Sequence, residues 1–173
     1  MEYAHIGARG NPAQILNPYQ SPTPSISLGE GNTPTIALSS IGQLLGLKHL
    51  YGKLEFMNPT GSFKDRGTAS MVSALSDSGI TEVVEDSSGN AGASVAAYSA
   101  KADIRAHIFA PSNASPVKLN QIRIYGATVH LVDGTRETVS EEAISYCETH
   151  GIAYASHSLS PYFSEGTKTF GYE

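Results

Sequence analysis

The second half of the chain alternates short apolar runs with longer segments of helical composition. Between residues 81 and 155 there are four runs of β-branched or alternating apolar side chains, each followed by a helix-length segment or a turn. Strands that alternate with helices in this way are typical of βαβ units. We therefore predict an α/β fold with an open, twisted parallel sheet flanked by helices and joined by right-handed crossovers.

The limits of the predicted elements follow from hydrophobic periodicity and from the positions of glycine and proline. The predicted strands cover residues 50–56, 81–85, 105–110, 127–132 and 152–155. The predicted helices cover residues 36–47, 63–77, 90–102, 116–126 and 135–150. A proline falls near the start of the helix that begins at Pro116, where it is well tolerated.

The two ends of the chain differ from this regular middle. Residues 11–34 hold more than half of the prolines, which predicts extended, irregular chain that needs a surface to lie on. Residues 161–173 begin a pattern of helical composition, and the sequence stops inside it. We expect that this last pattern belongs to a larger unit.

Composition excludes several classes of protein. The 173 residues are 40% hydrophobic and 16% charged, which supplies a core for one domain and excludes a disordered chain. A net charge of -5 argues against nucleic acid as a partner. The single cysteine, Cys147, and six histidines without metal-ligand spacing predict no metal site. Without a membrane-length apolar run or a visible signal sequence, we expect a cytoplasmic protein with no membrane partner.

The most unusual segment reads Asn-Pro-Thr-Gly-Ser-Phe-Lys-Asp-Arg-Gly over residues 58–67. Pro59 and Gly61 predict a tight bend and Ser62 is a good N-cap, so Lys64 is placed in the first turn of a helix. The positive end of the helix dipole disfavours a structural cation there and favours an uncharged amine. An uncharged amine is the form that attacks a carbonyl group, although an ordinary solvated lysine is the alternative.

A second unusual segment, Glu-Asp-Ser-Ser-Gly-Asn-Ala-Gly over residues 85–92, links a predicted strand to a predicted helix. Backbone N–H groups at a helix start bind carboxylate or phosphate, and Ser87 and Ser88 add hydroxyl donors. Gly89 permits close approach of the backbone, and Asn90 can donate to an oxygen on a flat ring. The loop follows the carboxyl end of a strand, where open α/β sheets bind ligands. The alternative is a capped turn without a ligand.

Residues 53–67 resemble the cofactor-lysine motif of the tryptophan-synthase-β-like family of pyridoxal-phosphate enzymes, known as fold type II. Within that family the segment is most similar to the threonine synthases. Four more segments are similar to family motifs in the same order: Leu-Gly-Glu-Gly-Asn-Thr-Pro at 28–34, Ser-Ser-Gly-Asn at 87–90, the helix over 116–126 with its Lys-Leu pair, and Glu-Gly-Thr-Lys-Thr at 165–169. The resemblance runs from residue 28 to the end and implies the same fold.

The resemblance implies a cofactor and a set of roles. Pyridoxal 5'-phosphate would form a Schiff base with Lys64, which would afterwards move protons at Cα and Cβ of the substrate. Asn90 would hydrogen-bond the ring hydroxyl of the cofactor. The carboxylate of a small amino-acid substrate would be surrounded by four loop residues: Ser87, Ser88, Gly89 and Ala91. The implied reaction is elimination of a leaving group from the side chain, followed by hydration, replacement or release of a keto acid.

The sequence departs from the threonine synthases over residues 157–163. Where those enzymes carry Asn-Ser-x-Asn-Pro-Tyr-Arg, this chain has His157 and Ser158, which are predicted substrate contacts, and Phe163 at the arginine position. Arginine is a bidentate phosphate ligand, so its loss changes the recognition of a phosphorylated substrate. Besides conversion of O-phosphohomoserine to threonine, three alternatives are open: a threonine or serine dehydratase, a cysteate- or cysteine-synthase-like enzyme, and a catalytically silent module that binds an anion or a partner protein.

The resemblance also divides the chain. Residues 1–59 would be an extended N-terminal segment and first strand that belong partly to a large domain, 60–157 the small α/β domain, and 158–173 the start of the large domain. Family members are longer, and their cofactor-phosphate loop and pyridine-nitrogen partner lie in a C-terminal half with no counterpart in this sequence. We therefore expect an N-terminal part of the enzyme that is inactive alone and exposes apolar surface, and a homodimer as the full-length enzyme.

Overall fold

The computed structural model describes residues 24–173 and shows the predicted α/β class. An antiparallel pair is formed by β1 (Thr35–Ala37) and β2 (Tyr51–Lys53), with the short helix α1 (Ser39–Leu44) in the connection. The main sheet consists of β3 (Glu82–Glu85), β4 (Arg105–Pro111), β5 (Thr128–Val132) and β6 (Ala153–Tyr154). The further helices are α2 (Lys64–Asp77), α3 (Asn90–Lys101), α4 (Pro116–Ile124), α5 (Arg136–His150) and α6 (Pro161–Thr167).

The main sheet is parallel throughout, with the strand order β5-β4-β3-β6. This confirms the open parallel sheet, and its four strands and the four long helices α2 to α5 lie within a few residues of their predicted limits. Because parallel strands point the same way, their carboxyl ends share one edge of the sheet. The segments that leave the four strands at that edge are therefore neighbours in space.

Two apolar clusters hold the helices on the sheet. Val83 of β3 belongs to the larger cluster together with the fully buried Tyr98 of α3. Its neighbour Val84 belongs to the smaller cluster, which includes Val139 and Cys147 of α5. Successive side chains of a strand point to opposite faces, so α3 and α5 cover opposite faces of the sheet. Burial also raises the pKa of the Cys147 thiol to about 12, as expected of a packing residue.

The two elements predicted nearest the N-terminus are shorter than expected. In place of a helix over 36–47, the chain forms β1, whose backbone pairs with β2, and the helix begins only at Ser39. Pairing with a second strand is a tertiary effect that local periodicity does not contain. Of the irregular segment predicted over 11–34, residues 24–34 hold no helix or strand. The remainder, 11–23, lies outside the described residues.

The predicted strand over 50–56 ends at Lys53, and a single 3-10 turn, Glu55–Met57, takes its place. The Asn58 side chain stabilises that turn, because its Nδ2 donates to the Glu55 carbonyl at 2.8 Å. Large apolar side chains around these elements and at the chain end are exposed, for example Leu44 at 86% and Tyr172 at 80%. Such exposure was expected of both ends of the chain.

A buried ion network joins β2, α2 and the last residue. Arg66, only 2% exposed, places Nε and Nη2 each 2.8 Å from the two carboxylate oxygens of Glu55. The same guanidinium donates to Glu173 at 2.6 and 2.9 Å. Lys53 Nζ adds a further ion pair to Glu173 at 2.8 Å. These hydrogen bonds and charges hold the pKa of both carboxyl groups below their usual values, far below in the case of Glu173.

Helix α6 packs directly on α2 through two glycines. A Cβ atom at Gly67 would lie 2.7 Å from the Phe163 carbonyl oxygen, and one at Gly166 would lie even closer to the Arg66 carbonyl oxygen. Real Cβ atoms do not come so close, so the two backbones touch only because both positions are glycine. This contact places the Phe163 side chain beside the first turns of α2.

No helix within residues 24–173 is both long enough and apolar enough to cross a membrane. Over the same residues, no group of three or more His, Cys, Asp or Glu side chains is arranged to hold a metal ion. His107 and His130, which lie on β4 and β5, instead contact each other, with 3.0 Å between Nδ1 and Nε2. His107 Nε2 also lies 2.7 Å from Glu82.

Candidate active site

An open cleft of about 560 Å³ lies at the carboxyl edge of the main sheet. The end of β4 and the segments that follow each of the four strands line the cleft. The lining residues are Ser87, Ser88, Pro111, Asn113, Gly134, Arg136, His157 and Ser158. The volume is in the range of small-molecule sites. Four residues predicted as substrate contacts are thus brought together: Ser87, Ser88, His157 and Ser158. The lining does not include Lys64, Gly89, Asn90 or Ala91.

Lys64 is the first residue of α2, as the sequence predicts. Gly61 has φ 83°, a left-handed conformation that suits glycine, so the bend before the helix depends on this residue. The cap position is Phe63 rather than Ser62. Ser62 still supports the start of the helix, because its Oγ accepts the Lys64 backbone N–H at 3.2 Å.

The fully buried Asp65 holds the lysine turn in place. Its Oδ2 accepts the Thr60 backbone N–H at 2.7 Å, and its Oδ1 accepts the hydroxyls of Thr60 and Ser94 at 2.5 and 2.7 Å. Burial raises the pKa of this carboxyl group, and the hydrogen bonds oppose the rise. Ser94 lies one turn after Asn90 in α3, so Asp65 ties the start of α2 to the start of α3.

Helix α4 makes a second connection between the two segments. Lys118 Nζ donates to Asn90 Oδ1 at 2.7 Å, and Gln121 Nε2 donates to the Thr60 carbonyl oxygen at 3.1 Å. Residues three apart share a helix face, so one face of α4 reaches both segments. Because Lys118 Nζ is the donor in this bond, the bond fixes the carbonyl oxygen of Asn90 and leaves its amide N–H groups for another partner.

The loop formed by Ser87, Ser88 and Gly89, here called the serine loop, packs closely against the first turn of α3. A Cβ atom at Gly92 would lie well under 3.0 Å from the Ser87 carbonyl oxygen, so the loop requires glycine there. At Gly89 a Cβ would meet nothing nearer than Ser87 Oγ, at 3.8 Å, so the space beside this residue is open. Ala91 is 2% exposed and can offer a ligand only its backbone N–H, one of the groups that a helix start leaves unpaired.

The fully buried Glu85 contacts His157, which lines the cleft. Its Oε1 lies 2.7 Å from His157 Nδ1, and its Oε2 accepts the His157 backbone N–H at 3.2 Å. Burial raises the pKa of the Glu85 carboxyl, and the hydrogen bond with His157 opposes the rise. The other ring nitrogen, Nε2, lies 3.4 Å from Ser158 Oγ.

One aromatic ring connects the lysine to the cleft. Phe163 is 5% exposed, and its ring centroid lies 5.3 Å from Lys64 Nζ. The same ring meets the His157 ring edge-on, with 5.6 Å between centroids. Lys64 and His157 therefore contact the same ring, and the residue predicted to replace an arginine of the threonine synthases is buried and apolar.

Arg136 brings a positive charge to the cleft. Its Nη2 lies 2.8 Å from Asp86 Oδ2, and its Nη1 donates to the Asp86 carbonyl oxygen. Burial raises the pKa of the Asp86 carboxyl, but the Ser140 hydroxyl and the Arg136 charge outweigh burial and lower it overall. The Arg136 side chain is half-exposed. Sequence reasoning missed Asn113 and Arg136, although they lie three and four residues after the ends of predicted strands.

Comparison with known proteins identifies the family. The sequence model of the family described as pyridoxal-phosphate dependent enzyme matches residues 26–173. The chain is 38% identical to a threonine synthase of Bacillus sp. (strain ULM1) over 157 residues, which is 90% of this chain and 44% of that protein.

Solved structures show the same fold. The structure of maize serine racemase superposes with a TM-score of 0.72 and 32% identity, over 78% of this chain and 41% of that one. The processed form of threonine deaminase isoform 2 from Solanum lycopersicum superposes with a TM-score of 0.68 and 25% identity, over 82% of this chain and 38% of that one. The chain thus spans less than half the length of these relatives. With most of its length matched, the chain belongs to the pyridoxal-phosphate dependent enzymes of fold type II.

Proposed function

We propose that this chain carries the lysine and the substrate loop of an enzyme that eliminates a leaving group from the side chain of a small amino acid, either phosphate from Cγ, as threonine synthases do with O-phosphohomoserine, or a group on Cβ, as in serine and threonine. The observation that carries the proposal is that Lys64 and the cleft-lining His157 contact the same Phe163 ring, at a cleft that Ser87 and Ser88 also line. Two sets of hydrogen bonds, through Asp65 and through α4, join the segment around Lys64 to the start of α3 and support the proposal.

The residues present fit one side of the cofactor. Lys64 would hold its aldehyde carbon, and the Asn90 amide, whose oxygen is already bound by Lys118, would donate to its ring hydroxyl. The open space beside Gly89 admits a ligand close to the backbone. When bound, pyridoxal 5'-phosphate supplies an electron sink for the electrons released at Cα.

The substrate would bind through its carboxylate. Ser87 and Ser88 would donate from their hydroxyls, and the backbone N–H groups of Gly89 and Ala91 would complete the anion site at the start of α3. Lys64 would take the proton from Cα of the bound substrate. The substrate side chain would then extend toward the residues after β6, which are His157 and Ser158.

The leaving group separates the candidate reactions. Arg136 offers a cation to a phosphate from a different element than the arginine that Phe163 replaces, which favours a threonine-synthase-like reaction. His157 is predicted to stand where threonine synthases have an amide, and histidine transfers protons, which favours a dehydratase that releases the hydroxyl group of serine or threonine as water. A cysteate- or cysteine-synthase-like replacement uses the same elimination step. The catalytically silent module is the candidate from another class.

We propose in addition a domain division, an oligomeric state and a location for the whole enzyme. Residues 1–59 would belong in part to a large domain, 60–157 would form the small domain, and 158–173 would begin the large domain. The whole enzyme would be a cytoplasmic homodimer, and the isolated 173-residue chain would be inactive. The length of the relatives, more than twice the matched part, supports this division.

The test is a cofactor titration of the natural polypeptide that contains this chain, whatever its length. We expect a visible absorption band that borohydride abolishes, with loss of the band in Lys64→Ala and retention in Lys101→Ala, an exposed lysine of α3. Turnover is then measured separately with O-phosphohomoserine, O-phosphoserine, serine and threonine. A wild-type protein that stays colourless with added cofactor supports the silent module instead.

A further inference from the structure

We propose that His157, held in place by Glu85, donates a proton to the side-chain oxygen that leaves the substrate during elimination. This inference rests on the proposed function and adds a second proton-transfer residue to the same site. Lys64 would handle the proton at Cα, and His157 the proton at the departing oxygen. The family resemblance implies no role for Glu85.

The geometry determines which nitrogen of His157 is available. Glu85 contacts both the ring at Nδ1 and the backbone N–H of His157, so one carboxylate fixes the position and rotation of the imidazole. The proposal places the proton of this contact on Nδ1, which donates it to Oε1 of the carboxylate. Nε2 is therefore the nitrogen that exchanges a proton with the cleft, on the side where Ser158 Oγ lies 3.4 Å away.

Packing alone does not explain a carboxylate at this position. Burying an ionised carboxylate costs several kcal/mol, which an apolar residue of similar volume avoids. Among the described residues, the side chain of Glu85 hydrogen-bonds to His157 and to no other residue. A buried carboxylate whose partner is a histidine in a cleft is the arrangement that orients general acids and bases.

For serine and threonine, whose leaving oxygen is bonded to Cβ, the proposed step balances in atoms and charge. The Lys64 amine takes the proton from Cα, and the electron pair of that bond forms the double bond between Cα and Cβ. The bond between Cβ and oxygen breaks, its electron pair stays on the oxygen, and the Nε2–H of His157 protonates that oxygen. His157 keeps its Nδ1 proton on the Glu85 side and regains the lost proton from water.

The charged groups around His157 distinguish two kinds of leaving group. Besides Glu85, they are Asp86 at the end of β3 and Arg136 of α5, which pair with each other at 2.8 Å. Phe163 of α6 closes the remaining side with an apolar ring, beyond which lies Lys64. A phosphate would meet Arg136 and leaves without a proton, whereas a hydroxyl group needs a proton to leave. The contribution of His157 should therefore depend on the leaving group.

The kinetic test uses His157→Asn, which restores the amide of the threonine synthases, in the natural polypeptide loaded with cofactor. We expect kcat with serine or threonine to fall by about 10²- to 10⁴-fold and kcat with O-phosphoserine, which carries its phosphate on the same Cβ, by less than about 5-fold. Glu85→Gln should lower kcat with the hydroxyl substrates by about 10-fold, because it weakens the orientation of His157. His49→Asn, in an exposed loop, is the matched control and should change neither reaction.

A spectroscopic test needs no turnover. In the natural polypeptide labelled with ¹⁵N at histidine and free of substrate, the neutral ring of His157 should carry its proton on Nδ1, and a neutral ring protonated on Nε2 overturns the inference. Equal losses of kcat with both leaving groups, or a wild-type enzyme that eliminates phosphate but not hydroxide, overturn it as well. Absence of any elimination by the wild type refutes the proposed function, and this inference with it, while the spectrum still reports whether Glu85 orients the ring.

Discussion

Gly92→Ala tests whether the serine loop is held against α3 as closely as the structure shows. The new Cβ would lie well under 3.0 Å from the Ser87 carbonyl oxygen. Since that oxygen belongs to the backbone, no side-chain rotation relieves the contact, and the whole loop must move. Overpacking of this kind costs about 3 kcal/mol, the upper part of the usual range.

The same substitution has an opposing effect, because alanine is favoured over glycine within a helix by about 1 kcal/mol. The net expectation is therefore a loss of about 2 kcal/mol, which corresponds to a drop of about 4–8 °C in Tm for a chain of this size. Thermal unfolding followed by circular dichroism measures the shift. In the ¹H–¹⁵N spectrum, the amides of residues 87–92 should move most.

Gly171→Ala is the matched control, because a Cβ there meets nothing within 4 Å. We expect its Tm to stay within about 2 °C of the wild type, as for most exposed substitutions. If Gly92→Ala is as stable as Gly171→Ala, the loop does not lie where we describe it, and the anion site at the start of α3 loses its support.

Three other substitutions give independent checks. Arg66→Met should destabilise the chain by about 3–5 kcal/mol in urea unfolding, since it leaves Glu55 and Glu173 without their buried cation; an unchanged midpoint contradicts the network. Because the folded-state pKa of Glu173 is lowered, stability should be retained above about pH 4.5 and decline below it, and Glu173→Gln should flatten that decline. Lys118→Met should weaken cofactor binding by about 10-fold, as expected when a residue that orients a ligand group is lost; unchanged affinity excludes a role for Asn90 orientation.

The sequence was sufficient for the parts of the fold that depend on local pattern. Alternating apolar runs located β3 to β6, and glycines at the helix ends, such as Gly79 and Gly126, marked where α2 and α4 stop. It was insufficient for β1 and for the end of β2, because these strands are three residues each and pair with each other. A strand that short has too few residues to show a period.

The candidate site divides in the same way. The positions of Lys64 and the serine loop could be read from the sequence, because turn residues and helix starts are local features. The contacts from α4 to Asn90 and Thr60 could not, since they depend on how helices pack. The pairing of Glu85 with His157, 72 residues apart, could not be predicted either. It depends on β3 and β6 being neighbours in the sheet, which brings the residues after β6 next to the end of β3.

Peptide mapping of the natural polypeptide, after cofactor binding and borohydride reduction, tests most directly whether Lys64 is the residue that holds the cofactor. We predict that the cofactor label is recovered on the peptide containing Lys64 and is absent from the peptides containing Lys101 and Lys118. Recovery of the label on another lysine, with Lys64 unmodified, would contradict the placement of the reactive amine beside Phe163 and the cleft.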